Sequence, residues 1–145
     1  MNDHQAFARL VGALAPWDSR LLFVGGWARR LYRLHPAAAP PAYQPMATLD
    51  ADVAFAPHEQ LQGDIRASLQ QAGFEQELTG NHRPPVSRYT LGEDGPAGFY
   101  AEYLTPLVGR AQARDGKPLA TQAQAGATAR RLRYPGAAVH RALAR

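Results

Sequence analysis

A chain of 145 residues, 46% hydrophobic and without cysteine, has the length for one domain with a buried core. Disulfides, thiolate zinc sites and cysteine nucleophiles are excluded, and no apolar run approaches a membrane span. Met1-Asn2-Asp3-His4 lacks the regions of a signal peptide, so a cytoplasmic protein with no membrane partner is expected. The net charge of +4 is unevenly spread: residues 1–109 carry 8 basic and 11 acidic side chains, whereas residues 110–145 carry 8 basic ones and only Asp115 as an acid. Such a basic end is either a solvated segment or one that meets RNA or DNA phosphates.

Asn2 or Asp3 can cap a first helix, in which Phe7, Leu10, Val11 and Leu14 recur at helical spacing until Pro16. Leu21-Leu22-Phe23-Val24 reads as a short buried strand broken by Gly25-Gly26. Trp27, Ala28, Leu31, Tyr32 and Leu34 then predict a second helix, with Arg29, Arg30 and Arg33 on its polar side. Four prolines between His35 and Met46 predict a loop. A strand over Thr48 to Phe55 should follow, with Asp50 and Asp52 on one side and Leu49, Ala51, Val53 and Phe55 turned into a core. A helix beginning near Pro57 would bury Leu61, Ile65, Leu69 and Ala72 and close at Gly73. Strands are expected at Phe74–Leu78, Val86–Leu91 and Gly98–Leu104, with turns at Thr79-Gly80-Asn81 and Gly92-Glu93-Asp94-Gly95-Pro96. In the last strand Tyr100, Glu102 and Leu104 share one side. Gly126 to Tyr134 has the look of a further helix, interrupted by Pro135-Gly136. This order predicts an α+β fold, a mixed β-sheet packed against helices on one side, with the acids on the uncovered side.

Carboxylates two residues apart on a strand repel one another unless a cation neutralises them. Acid pairs of this kind suit Mg²⁺, which takes one or two carboxylates together with substrate phosphates. Glu102, alone in the apolar run Phe99 to Leu104, is the natural third acid. Paired glycines between a strand and a helix let a polyphosphate approach backbone N–H groups. Arg88 could reach phosphate oxygens from its strand, and Arg29 or Arg30 from the helix after the glycines. The histidines have no metal-ligand spacing.

Val24-Gly25-Gly26-x-Ala28, Thr48-x-Asp50-x-Asp52-Val53 and Glu102-Tyr103-Leu104-Thr105-Pro106-Leu107 together resemble the DNA polymerase beta-like nucleotidyltransferase superfamily. The likeness is to an uncharacterised bacterial branch and spans about residues 20–108. It implies a Mg²⁺-dependent enzyme using two ions, with Mn²⁺ as a substitute. A nucleoside monophosphate would pass from an NTP donor to an acceptor hydroxyl on RNA, protein or a small molecule. Carried over by motif, Gly25 and Gly26 would cradle the triphosphate, with Arg88 as a further nucleotide contact. Asp50 and Asp52 would bind both metals, and Glu102 would bind the catalytic metal and receive the acceptor's proton.

The chain departs from that pattern in three ways. Gly26 stands where many members have serine, and Glu102 where aspartate is common. After an expected nucleotidyltransferase-like core at 1–108, the resemblance implies a helical region, and the Arg/Ala-rich segment 109–145 is expected to be its remnant in a truncated member. The alternative function is therefore a catalytically degenerate binding module of a toxin–antitoxin or regulatory pair.

Overall fold

The computed structural model describes residues 2–39, 42–43, 49–55, 61–92, 98–106, 110–120 and 125–132. Helix α1 (Asp3–Leu14) starts at a reciprocal cap: the Gln5 N–H donates to the Asn2 side chain at 2.9 Å, and the Asn2 N–H donates to the Gln5 side chain at 3.1 Å. Phe7, Leu10 and Leu14 are buried as expected, but Val11 is 41% exposed. Ala6 and Ala13 complete the inner stripe instead, which turns Val11 onto the rim of a groove with Leu31 and Tyr32. A single 3₁₀ turn holding Pro16 ends the helix.

Strand β1 (Leu22–Val24) leads directly into helix α2 (Gly25–Tyr32), so both glycines lie in the helix's first turn. Next come β2 (Asp50–Ala54), α3 (Ile65–Gln71), β3 (Phe74–Thr79), β4 (Val86–Leu91), β5 (Phe99–Pro106) and β6 (Arg130–Leu132). Asp64 caps α3, its side chain accepting from the Ala67 N–H. The six strands form one mixed sheet in the order β1-β2-β5-β4-β3, with β6 paired to β5. The β2–β5 and β5–β6 pairs are parallel and the others antiparallel. This is an α+β fold, as the sequence predicts.

Strand alternation divides the sheet. Ala51, Val53, Tyr89, Phe99, Ala101 and Tyr103 join Phe7, Leu10, Trp27, Ile65 and Leu69 in the main core. Ser68 fastens α3 to α1, its hydroxyl donating to the Ala13 carbonyl at 2.6 Å. Among the described residues no helix is long and apolar enough to cross a membrane.

Four local expectations need correction. Leu49 is 50% exposed rather than buried, because the β2 ladder begins one residue later. In α2 only Trp27 is buried, while Leu31, Tyr32 and Leu34 are exposed. Arg30, placed on the polar side by spacing, turns inward: it lies 4.2 Å over the Trp27 ring and pairs with Asp3 at 2.6 Å. That hydrogen bond holds the Asp3 carboxyl below the usual range. The helix expected over Gly126 to Tyr134 is a strand at Arg130–Leu132. Thr48, Leu107, the Pro57 start, the loop residues Pro40, Pro41 and Pro45, the turn from Glu93 to Pro96, and Tyr134 onward lie outside the described residues.

Candidate active site

Register determines which side chains meet. Val24 pairs with Asp52, Asp52 with Glu102, Glu102 with Arg88 and Arg88 with Glu77, one row running across five strands. Asp50 lies two residues before Asp52 and pairs with Tyr100, in the row that continues to Thr90. Side chains in register on neighbouring strands share a face, so Asp50, Asp52, Tyr100, Glu102 and Arg88 all stand opposite the main core. The fold thus brings Glu102, distant in sequence, beside the Asp50 and Asp52 pair.

The same register brings the glycine turn to the acids. Val24 is the β1 partner of Asp52, so the next residue, Gly25, begins α2 beside that carboxylate. Gly25 has φ +68°, and a Cβ added to it would sit 2.8 Å from Asp52 Oδ2. Any larger residue would meet both a backbone penalty and a direct clash. Glycine is therefore required here by Asp52 as well as by the turn.

Electrostatically the face is strained. Asp52 is pushed up to about 6, first by loss of solvent and then by the charges of Asp50 and Glu102, with Arg130 acting the other way. Partial burial, followed by the nearby acids, also raises the Tyr100 hydroxyl. Glu102 is buried and doubly paired. Arg88 donates through Nε and Nη2 to Oε1 at 3.2 and 3.0 Å, and Arg130 donates through Nη2 to Oε2 at 3.1 Å. The Arg88 guanidinium lies 4.0 Å over the Tyr100 ring.

Arg130 is the member of this cluster that sequence reading misses. It is carried by β6, whose first residue pairs with Leu104 one turn of the pleat beyond Glu102. The available signal was Ala127 and Ala129 alternating with Thr128 before a basic pair. Small residues of this kind fit a helix equally well, so the period was ambiguous. Of the other arginines considered for phosphate, Arg30 is committed to Asp3, and Arg29 donates to the Tyr43 hydroxyl at 2.7 Å.

The donor set fits a hard divalent cation. All three candidate ligands offer carboxylate oxygens, and Asp52 is raised partly by neighbours that a cation would neutralise. As they stand, however, the described residues contain no group of three acidic or imidazole side chains close enough to form a ready cage. Both oxygens of Glu102 are turned to guanidiniums. Volume is a poor guide to this face: a hollow of about 360 Å³ lined by Leu14, Leu22, Phe23 and Leu31 contains none of the acids.

No curated protein and no solved structure matches the chain. A family model described as nucleotidyltransferase does match, over residues 2–141, and so takes in the glycine turn, all three acids and both arginines of Glu102. With that match covering nearly its whole length, the chain belongs to this nucleotidyltransferase family.

Proposed function

We propose that the chain is a divalent-cation-dependent enzyme that moves a nucleoside monophosphate from an NTP to an acceptor hydroxyl, in the cytoplasm. The observation carrying this reading is the register Val24–Asp52–Glu102, which puts a glycine-opened helix and three carboxylates on one face of the sheet in a nucleotidyltransferase family member. Asp50, Asp52 and Glu102 would hold Mg²⁺, or Mn²⁺ in its place. Bound there, the ions would neutralise the phosphates and lower the pKa of the attacking hydroxyl.

The chain's own residues have separate tasks. The exposed first turn of α2, at Gly25 and Gly26, presents backbone N–H groups to an anion with no side chains of its own in the way. Arg88, held flat by Tyr100, offers a planar donor fork to a phosphate oxygen. Glu102, once released from its arginines, takes the hydroxyl's proton as the acceptor oxygen bonds to the α-phosphorus and pyrophosphate leaves. The nature of the acceptor is open to RNA, protein or a small molecule.

Calorimetry of the full chain with Mg²⁺ or Mn²⁺ and each NTP tests the proposal. Saturable, metal-dependent binding is expected, and Asp50→Asn with Asp52→Asn should abolish it. Unchanged affinity in the double variant defeats the reading. The double pairing of Glu102 favours one competitor, a nucleotide-binding relative without transfer activity. Transfer of label from α-labelled NTP to any cellular acceptor excludes that competitor.

A further inference from the structure

We propose that Arg130, together with Arg88, is a triphosphate-binding residue, and that Glu102 occupies both guanidiniums until a triphosphate replaces it. The inference rests on the nucleotidyltransferase reading of this face and assigns a part of the site to the C-terminal segment.

Geometry sets the two arginines apart from ordinary surface cations. Each takes a different oxygen of the Glu102 carboxylate, Arg88 from β4 and Arg130 from β6. Carboxylate and phosphate oxygens accept from a guanidinium in the same planar way, so one can stand in for the other. The ring of Tyr100 supports the Arg88 plane at 4.0 Å, which keeps it aimed over the acid face when its partner changes.

Arg130 is the more loosely committed of the pair. It makes one contact with Glu102, its side chain is 40% exposed, and its Nε has no hydrogen-bond partner among the described residues. A guanidinium with donors to spare gains more from a ligand with several oxygens than from one carboxylate oxygen. Its strand is nonetheless well fixed, pairing Leu104 with Arg130 and following Ala129, which is wholly buried. The head can therefore turn while its base stays in place.

Charge supports the exchange. Asp50, Asp52 and Glu102 face Arg88 and Arg130, so the cluster is close to neutral with the arginines engaged. A triphosphate arriving with its cations would bring further oxygens to the guanidiniums and further charge to the acids. Glu102 would then give up its arginines when the acids need it most.

Inorganic tripolyphosphate in EDTA, titrated into the full chain at fixed ionic strength, isolates the arginine half of the site. Glu102→Gln should bind it about tenfold more tightly than the wild type, because both guanidiniums are released. Asp52→Asn, which removes the same charge without touching either pair, should produce a much smaller gain. Adding Arg130→Gln to Glu102→Gln should remove a large part of the gain, leaving what Arg88 supplies, while adding Arg131→Gln, an equal change in charge on the adjacent residue, should leave most of it.

Equal binding by Glu102→Gln and wild type overturns the proposal, as does a gain that Arg130→Gln reduces no more than Arg131→Gln does. Thermal melts show whether each variant folds. Should Glu102→Gln fail to fold, Arg130→Gln in the wild-type background must still weaken tripolyphosphate binding, and unchanged binding there is equally fatal. Since no metal is present, these titrations can succeed where Asp50 and Asp52 hold no cation. They can also fail where metal-dependent NTP binding is found, so the two readings fall separately.

Discussion

Asp52 is the residue on which this face turns, because it lies between the glycine turn and the other two acids. Val24 and Glu102 flank it in the sheet, Asp50 precedes it by one pleat, and the Gly25 backbone closes over it. Burial, then Asp50 and Glu102, raises its carboxyl from 3.8 to about 6. The folded chain therefore holds the Asp52 proton more tightly than the unfolded chain does. That contribution to stability is complete below about 3.8 and is lost as the pH rises through about 6. At pH 8 the fold carries the full cost of an ionised Asp52. A shift of this size is worth about 3 kcal/mol at full strength, reduced to about 1–2 kcal/mol by solvent at a partly exposed group. Asp52→Asn should accordingly raise the unfolding free energy by that amount at pH 8 and change it little at pH 4. Urea titrations at the two pH values measure the difference, and an equal effect at both would show that Asp52 has no such strain.

At the scale of elements, the informative join is between β4 and the segment entering β6. Ser87 sits at its centre: its N–H donates to the Thr128 carbonyl at 3.2 Å, and its hydroxyl accepts from the Thr128 N–H at 3.1 Å. The hydroxyl also accepts from the Gln76 side chain at 3.2 Å. Both Ser87 and Thr128 are buried, so Ser87→Ala would leave a buried N–H without its acceptor. A loss of about 1–3 kcal/mol in unfolding free energy is expected, with faster amide exchange at residues 128–132. If exchange quickens evenly over the whole sheet, the join is not the local fastening described here. The same elements show what a sequence can reveal. Val86–Leu91 alternates well enough, and Phe99 to Leu104 sets Tyr100, Glu102 and Leu104 on one side, so their strand period and the side taken by Glu102 were legible. Pairing β2 with β5 was not, since nothing local dictates that Asp52 lies beside Glu102 rather than beside another strand. The acids' chemistry suggested a shared site, and tertiary packing supplied the register. Leu31 and Tyr32 misled because apolar spacing marks a side of a helix but does not say that anything covers it. Arg30 misled for the converse reason, its guanidinium being stacked on Trp27 and tied to Asp3.

For the molecule as a whole, the charge imbalance between residues 1–109 and 110–145 invites treating the basic end as an appendage, yet its described part is woven into the fold. Ala127 and Ala129 belong to the main core, and the Ala125 carbonyl accepts from the Ile65 N–H at 2.7 Å. Gly126, with φ +82°, packs so closely on α3 that an added Cβ would lie 2.8 Å from the Arg66 Cβ. Its carbonyl accepts from the Tyr89 hydroxyl at 3.2 Å. Removing residues 125–145 would expose Ile65 and Tyr89, break their hydrogen bonds to the Ala125 and Gly126 carbonyls and take one guanidinium from Glu102. Such losses total about 3 kcal/mol or more, equivalent to a fall of about 10 °C or more in Tm for a domain of this size. The truncated chain should melt earlier, and its metal-dependent NTP binding should weaken beyond what Arg130→Gln alone produces. A basic appendage that served only nucleic-acid contact would behave differently: its removal would lower affinity for RNA or DNA and leave Tm and NTP binding untouched. Differential scanning calorimetry and NTP titration of the full and shortened chains decide between the two. An unchanged melt would mean that the contacts of Ala125, Gly126 and Ala129 contribute nothing to folding, and that the site closes without β6.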